Sequence, residues 1–177
     1  MHTTLTPGAP FPDLTLKTLH GTEARIGTPD PAHGDWQLVV VYRGKHCPIC
    51  KKYLSELTGL LPDFHDIGVD VIAVSADPLD KTEAFIADIG YEGRVGYDLT
   101  IEQMKTLGLY ISDPRSPQET DRPFAEPAVF VVRDDRTLQI VDVSNAPFSR
   151  PALTSLRDGL GFIREKDYPI RGTHAAA

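Results

Sequence analysis

The feature that most constrains this chain is a pair of cysteines placed between an apolar run and an amphipathic segment. The run from Val39 to Val41 is β-branched and has the composition of a buried strand. Cys47 and Cys50 follow it, with two residues between them. Apolar residues then recur at helical spacing, at Tyr53, Leu54, Leu57, Leu61 and Phe64. The pattern therefore predicts that a strand delivers two thiols to the N-terminus of a helix.

The predicted position of Cys47 favours a reactive thiolate. The residue falls at the first helical position or just before it, where free amide groups and the helix dipole stabilise negative charge. Pro48 suits the first helical turn, which needs no amide donor from it. Basic or protonatable residues flank the pair, at Arg43, Lys45, His46, Lys51 and Lys52. We therefore expect a lowered pKa at Cys47 and interpret this residue as the nucleophile.

Cys50 lies one helical turn further on and is interpreted as the resolving thiol, because it can attack a mixed disulfide or a sulfenic acid on Cys47 at short range. Two alternatives are buried packing cysteines and a metal site shared with His46. A structural zinc site needs four protein ligands, and the chain has no second Cys-x-x-Cys and no His-x-x-x-His pair. His65 is expected at the surface, near the end of the helix. We favour redox chemistry and predict no metal ligands.

Composition argues against several other classes of function. A chain of 177 residues with 41% apolar content can bury a core of its own. The net charge of -7 and the lack of a long basic tract argue against nucleic acid binding, and no apolar run approaches the length of a membrane span. The first six residues lack the features of a signal peptide. The chain has two cysteines and both lie in the motif, so we expect no structural disulfide framework. These observations together favour the reducing cytoplasm.

The first half of the chain predicts a hairpin followed by alternating strands and helices. Apolar alternation over residues 14–19 indicates a short N-terminal hairpin. Pro62 is expected to kink or end the helix that carries the cysteines. Residues 69–75 predict a second buried strand, residues 78–90 a helix and residues 94–97 a short strand. This order is typical of a right-handed parallel unit.

The second half predicts a helix, a long loop, a hairpin and a last helix. Thr100 opens a capping-box pattern. Residues 111–126 show little periodicity, and we expect this loop to border Cys47, because loops of that length in compact domains are usually functional or mobile. Residues 128–143 predict an antiparallel hairpin, and a helix is expected at residues 151–163.

These elements together carry a resemblance to a known fold family. Cys-Pro-Ile-Cys on a parallel unit, followed by a hairpin and a terminal helix, resembles the thioredoxin fold. Three further stretches resemble the alkyl hydroperoxide reductase and thiol-specific antioxidant (peroxiredoxin-like) family: Ala9-Pro10-Phe11, Val74-Ser75-Ala76-Asp77 and the turn from Asn145 to Arg150. The similarity covers roughly Ala9 to Ile163. It implies an α/β fold, a thioredoxin-like three-layer sandwich with a central mixed β-sheet and an N-terminal β-hairpin extension.

The resemblance also implies a domain organisation and a proline geometry. It places residues 1–177 in a single redoxin domain, with a core at about 9–165 and a tail at 166–177. Pro127 falls at the position of the cis-proline that faces the dithiol in thioredoxins, where the exposed backbone before it pairs with a bound peptide. An ordinary trans proline at a strand start is the alternative.

Two departures from the family pattern concern the peroxide site. Peroxiredoxins carry Pro-x-x-x-Thr-x-x-Cys, and the corresponding proline and threonine positions here hold Val40 and Gly44. The family's later arginine aligns with Pro127. Arg43 or Arg122 is a candidate substitute donor.

Three functions remain open at this point. The first is disulfide exchange with a disulfide-containing protein, in which Cys47 attacks, Cys50 resolves and Pro127 orients the partner. The second is a thiol peroxidase recycled by a thioredoxin- or glutathione-type reductant. The third is a non-catalytic redox sensor or metal-handling module that uses the same cysteines. Arg43, His46 and Pro48 are the supporting residues. No cofactor is expected, and a homodimer is compatible with the resemblance.

Overall fold

The computed structural model describes residues 3–174 and has a seven-stranded sheet at its centre, with strand order β2-β1-β5-β4-β3-β8-β9. A separate two-stranded sheet pairs β6 with β7. The strands are β1 (Thr15–Thr18), β2 (Glu23–Arg25), β3 (Trp36–Val41), β4 (Val69–Val74), β5 (Arg94–Tyr97), β6 (Ile111–Ser112), β7 (Phe124–Ala125), β8 (Ala128–Val132) and β9 (Leu138–Val143).

Helices cover both faces of the large sheet. They are α1 (Pro48–Asp66), α2 (Leu79–Ile89), α3 (Ile101–Thr106) and α4 (Leu153–Lys166). Side chains of α1, α2 and α4 pack on one face against alternate residues of the central strands, such as Val40 and Ala73. The opposite face, which includes Val39 and Ile72, packs against Met104 of α3 and the N-terminal hairpin. Because successive side chains of a strand point to opposite faces, the fully apolar β3 feeds both cores.

The strand directions make this a mixed sheet. β3, β4 and β5 are parallel and are connected through α1 and α2, whereas β8 pairs antiparallel with β3 and forms a hairpin with β9. The β1-β2 hairpin joins the edge of the sheet antiparallel to β5. The three-layer α/β arrangement and the N-terminal hairpin are therefore confirmed, and so is the parallel unit around the cysteines.

The local signals at helix ends also have the predicted geometry. Thr100 and Gln103 form a complete capping box at the start of α3, with each side chain bonded to the other residue's backbone amide. Gly90 ends α2 in the left-handed conformation at φ 63°. Pro62 lies inside α1, which continues to Asp66, so of the two expected outcomes, a kink or an end of the helix, the helix end does not occur there.

The long segment after α3 contains more structure than the sequence predicts. Its two ends pair as β6 and β7, in register from Ile111 with Ala125 to Ser112 with Phe124. β7 leads directly into β8, the strand that pairs with β3. Through β8, the end of this segment is connected to β3, the strand that precedes the cysteines. No helix within residues 3–174 has the length and apolar character needed to cross a membrane.

Candidate active site

The backbone between β3 and α1 places Cys47 at the N-cap of the helix. Cys47 has extended backbone angles, φ -105° and ψ 107°, and Pro48 follows it in the first helical turn. The amide of Cys50 donates to Cys47 Sγ at 3.3 Å, so the thiol acts as the capping group. The predicted positions of Cys47, Pro48 and Cys50 at the start of the helix are therefore confirmed.

This surrounding favours the thiolate form of Cys47. Its pKa is lowered from the ordinary value to about 5, chiefly by the hydrogen bond from the Cys50 thiol. The Cys50 amide and the Arg43 guanidinium lower the pKa further, while burial opposes them. Cys47 is only 1% exposed, so a reactant has to be small or has to be admitted by local opening. The result is a negatively charged sulfur in an enclosed site.

Cys50 has the opposite character. It is fully buried, and burial is the main cause that raises the pKa of its thiol, with the neighbouring Cys47 adding to the effect. The Cys50 sulfur accepts a hydrogen bond from the Arg43 amide at 3.4 Å. Both cysteines are in the reduced thiol form. The two thiols are thus inequivalent, with one poised as an anion and the other as its proton donor.

Arg43 is the basic side chain that reaches the Cys47 sulfur. Its guanidinium interacts with Cys47 and lowers the pKa of that thiol. It lies 2.9 Å from a carboxylate oxygen of Glu126 and 4.8 Å from the centre of the Phe124 ring. The Glu126 side chain is only 5% exposed, and its other carboxylate oxygen accepts from the Ser112 hydroxyl at 2.7 Å. The ion pair therefore fixes the position of the guanidinium.

Two other basic residues, Lys51 and Arg122, form ion pairs elsewhere. Lys51 forms an ion pair with Asp88. Arg122, the second candidate donor, forms ion pairs with Asp121 at 3.3 Å and Asp98 at 3.7 Å. Of the two arginines that the sequence suggested, Arg43 is the one that contacts Cys47.

Arg150 is a site residue that the sequence reasoning missed. It lies in the turn before α4, and its guanidinium donates to Cys50 Sγ at 3.3 Å. The guanidinium carbon of Arg150 lies 4.8 Å from the centre of the Tyr53 ring. The Arg150 Nε donates to the carbonyl of Pro147 at 2.8 Å. The sequence identifies Arg150 only as the end of a turn. No local pattern predicts its contact with Cys50, which is 100 residues away in the sequence.

His46 differs from its prediction as a source of positive charge. Burial, followed by the charge of Arg43, lowers the pKa of its imidazole. Its ring packs edge-on against Phe124 at 4.5 Å, and neither ring nitrogen has a hydrogen-bond partner within residues 3–174. Both effects disfavour the charged form of His46 that would add positive charge beside Cys47. The contact with Phe124 makes His46 a packing group at the site.

Gly44 leaves no space for the threonine of the family pattern. Its φ is +144°, and a Cβ atom there would lie 2.8 Å from an Asp77 carboxylate oxygen and 3.0 Å from His46 Nδ1. The same Asp77 carboxylate accepts from the Lys45 amide at 2.7 Å. The loop geometry thus requires glycine and excludes a hydroxyl at this position.

The cis-proline expectation for Pro127 is wrong, because no peptide bond within residues 3–174 is cis. The backbone around Pro127 is already engaged within the chain. The Glu126 amide donates to the Tyr110 carbonyl at 2.8 Å, and the Pro127 carbonyl accepts from the Ser144 amide at 3.0 Å. These groups are not free to pair with a bound peptide. The segment before Pro127 does border the site, since Phe124 and Glu126 both contact Arg43.

Comparison with known proteins gives two kinds of similarity. The sequence resembles 1-Cys peroxiredoxin B of Oryza sativa subsp. indica, with 26% identity over 143 residues that cover 77% of this chain and 63% of the relative. It also resembles a 1-Cys peroxiredoxin of Onchocerca volvulus, with 24% identity over 151 residues that cover 76% of this chain and 63% of that relative. The chain spans 60–63% of the length of the curated relatives that it matches.

Solved structures share the fold. A peroxiredoxin 6 of Arenicola marina superposes with a TM-score of 0.76 at 20% identity, covering 92% of this chain and 75% of the other. AhpC of Mycobacterium tuberculosis superposes with a TM-score of 0.73 at 17% identity, covering 93% and 96%. The sequence matches the AhpC/TSA family over residues 7–141, which include β1 through most of β9 and both cysteines. The chain therefore belongs to the AhpC/TSA family.

Proposed function

We propose that this protein is a thiol peroxidase in which Cys47 is the nucleophile. The single observation that carries the proposal is the Arg43 guanidinium held on a buried, helix-capping Cys47 sulfur whose pKa is lowered. A thiolate is the reactive form of cysteine, and a fixed donor beside it can bind the developing charge of a leaving oxygen. Names of similar proteins point the same way, since both relatives above are peroxiredoxins.

The first step is attack of the Cys47 thiolate on one oxygen of a hydroperoxide. A sulfur–oxygen bond forms, the oxygen–oxygen bond breaks, and Cys47 becomes a sulfenic acid. The second oxygen leaves as hydroxide or alkoxide and takes a proton from water. Arg43 is positioned to stabilise that oxygen as its charge grows.

The second step is resolution by Cys50. Its sulfur attacks the Cys47 sulfenic sulfur, a disulfide forms, and the sulfenic oxygen leaves as water with the Cys50 proton. Two thiols of a thioredoxin- or glutathione-type reductant then return both cysteines to the reduced form and become a disulfide themselves. The hydrogen bond from the Cys50 amide to Cys47 Sγ at 3.3 Å supports this role, because it places the two cysteines within one helical turn.

Disulfide exchange with a protein partner is the second candidate. The adjacent Cys50 favours it, since Cys-x-x-Cys pairs are common in such enzymes. Two observations weigh against it: Cys47 is 1% exposed, and the backbone at Pro127 is engaged within the chain. A small peroxide needs less opening than a protein disulfide does. We also propose a reducing cytoplasmic location, because both cysteines of the sequence lie in the motif and none is left for a structural disulfide framework.

The test is stopped-flow reaction of the reduced protein with hydrogen peroxide, followed by mass analysis of each thiol. We expect sulfenic acid on Cys47 first and then a Cys47–Cys50 disulfide. Cys47→Ser should abolish peroxide consumption, whereas Cys50→Ser should accumulate a trappable sulfenic acid. Because Gly44 supplies no hydroxyl, we expect a rate constant well below the diffusional ceiling of about 10⁸ M⁻¹s⁻¹. Reduction of protein disulfides without peroxide consumption would contradict the proposal.

A further inference from the structure

A cluster of two histidines and an aspartate lies away from the cysteines. His33 belongs to the loop before β3, His65 to the last turn of α1, and Asp70 to the start of β4. One potential ligand atom from each residue lies within 4.8 Å of the others. The two imidazole rings stack with their centroids 4.0 Å apart and their planes at 11°. The loop before β3 and the connection from α1 to β4 therefore bring nitrogen and oxygen ligands close together.

The cluster is separate from the candidate active site. Asp70 pairs with Gln37 at the beginning of the parallel strands, whereas Cys47 follows their other end, where Val41 pairs with Val74. The two pairs are four residue steps apart along the strands, which corresponds to about 13 Å. The cluster opens instead into a cleft of about 900 Å³ at the start of the strands.

The buried carboxylate of Asp70 also supports a ligand site. Its side chain is only 1% exposed, and its Oδ2 accepts from Gln37 Nε2 at 2.9 Å and from the Asp30 amide at 2.9 Å. Arg94 also approaches Oδ2, at 3.4 Å. Oδ1 is buried and has no hydrogen-bond partner within residues 3–174. A buried carboxylate oxygen without a partner is costly, so a ligand bound at this oxygen would relieve that cost.

We propose that His33, His65 and Asp70 bind one divalent transition-metal ion, with Zn²⁺ as the metal that fits best. Imidazole nitrogen and carboxylate oxygen are ordinary zinc ligands, with bond lengths near 2.0–2.2 Å. Ligand atoms on such a tetrahedron stand about 3.4 Å apart, so the cluster must close by up to about 1.4 Å. Because the lone pair of an imidazole nitrogen lies in the ring plane, one of the two stacked rings must also turn. His33 is partly exposed on a loop and can make both movements.

The surroundings of Asp70 match those of metal-binding carboxylates. Such carboxylates are themselves held by hydrogen bonds, which fix the oxygen that faces the ion. Gln37 and the Asp30 amide hold Oδ2 in this way and leave Oδ1 to the metal. The positive charge of Arg94 repels a cation. However, Arg94 lies next to Oδ2 rather than Oδ1, and its side chain is 31% exposed, so it can turn to solvent. A bound ion would have three protein ligands and a fourth position open to the cleft for water.

The first experiment is a calorimetric titration with Zn²⁺. Thiols also bind zinc, so the parent protein carries Cys47→Ser and Cys50→Ser, which removes that competing site. We expect one zinc per chain in this parent and an affinity at least about a hundredfold weaker after His33→Ala. His20→Asn is the matched control, because His20 lines the same cleft outside the cluster and asparagine tolerates its φ of 78°.

Two outcomes would overturn the proposal. A parent protein that binds no zinc would do so, and so would equal zinc affinity in the parent and in His33→Ala. The control is expected to bind zinc as the parent does. These results do not depend on peroxidase activity, so failure of the metal site and failure of the proposed function are distinguishable.

A second measurement uses Co²⁺ as a spectroscopic probe in the protein with intact thiols. Thiolate ligands give Co²⁺ an intense sulfur-to-metal absorption band in the near ultraviolet, which nitrogen and oxygen ligands lack. We expect the first equivalent of Co²⁺ to give visible bands without that sulfur band, and His65→Ala to abolish them. A dominant sulfur band at the first equivalent would assign the metal to the cysteines and contradict the proposal.

Discussion

The guanidinium of Arg150 donates to Cys50 Sγ at 3.3 Å, across 100 residues of sequence. The contact gives the buried second thiol a cationic neighbour that partly offsets the effect of burial on its pKa. Tyr53 supports the guanidinium from below, and the Tyr53 hydroxyl donates to the carbonyl of Pro151 at 2.7 Å. Helix α1 and the turn before α4 are therefore joined around Cys50, which suggests that Arg150 governs the resolving step.

Replacement of Arg150 should slow disulfide formation without slowing peroxide attack. Arg150→Met removes the charge that favours the Cys50 thiolate, and a lost charged hydrogen bond is worth about 1.5–3 kcal/mol. We expect at least a tenfold lower rate of Cys47–Cys50 disulfide formation, with an unchanged rate of sulfenic acid formation on Cys47. Stopped-flow traces with a sulfenic acid trap measure both rates.

Arg150→Lys is the control for this prediction. It keeps the charge and should recover most of the rate of disulfide formation, although it loses the planar contact with Tyr53. Equal loss in both variants would indicate that Arg150 only packs against the helix.

The pH dependence of thiol alkylation should differ between the two cysteines. Because the pKa of Cys47 is lowered to about 5, its alkylation rate should be nearly constant above pH 6 and should fall as the pH drops through 5. The pKa of Cys50 is raised by burial, so its alkylation should stay slow to the alkaline limit of folding. Mass spectrometry of each labelled peptide separates the two profiles. An inflection near pH 8.5 for Cys47 would contradict the lowered pKa.

Substitution of Gly44 should destabilise the fold. Gly44→Ala places a Cβ atom 2.8 Å from Asp77 and forces a side chain into positive φ, at a cost of about 2 kcal/mol or more in the free energy of unfolding. Gly44→Thr should cost more, so restoring the family hydroxyl would not restore a faster peroxidase. Urea denaturation measures the change.

Gly59 offers a matched control for this effect. It lies in the middle of α1, and no atom lies within 4 Å of a Cβ placed there. Gly59→Ala should therefore raise the free energy of unfolding by about 0.5–1 kcal/mol. If both alanine variants had the same stability, the conformation assigned to Gly44 would be wrong.

Removal of Arg43 should affect both stability and chemistry, and a double variant can separate the two. Arg43→Met leaves the buried Glu126 carboxylate without its cation, at a cost of about 3 kcal/mol. It also raises the pKa of Cys47 and removes the donor for the leaving oxygen, so we expect a roughly hundredfold lower rate with peroxide. Chemical denaturation and stopped-flow kinetics measure these two effects.

Arg43→Met with Glu126→Gln should recover most of the stability, because no buried charge remains unpaired. The peroxide rate should remain low, since the donor is still absent. Recovery of the rate together with stability would show that Arg43 acts only through the fold.

Local sequence was sufficient for the elements whose signals are local. The β-branched run at Val39, the proline after Cys47 and the capping box at Thr100 each describe contacts within a few residues of the chain. Propensity and capping act over that range, so the strand, the helix N-terminus and the order of elements could be predicted. The inequivalence of the two cysteines follows from the same geometry, because one caps the helix and the other lies a turn inside it.

Tertiary structure decided the features that depend on which distant segments meet. The contact of Arg150 with Cys50 and the contact of His33 with His65 join residues that are far apart in the sequence. The lowered pKa of His46 has the same origin, because burial and a neighbouring cation act on a pKa only after the chain has folded. Sequence by itself determined where the helix-capping thiol would lie, whereas packing determined which charges surround it, since electrostatic interactions depend on distance through space and on exclusion of water.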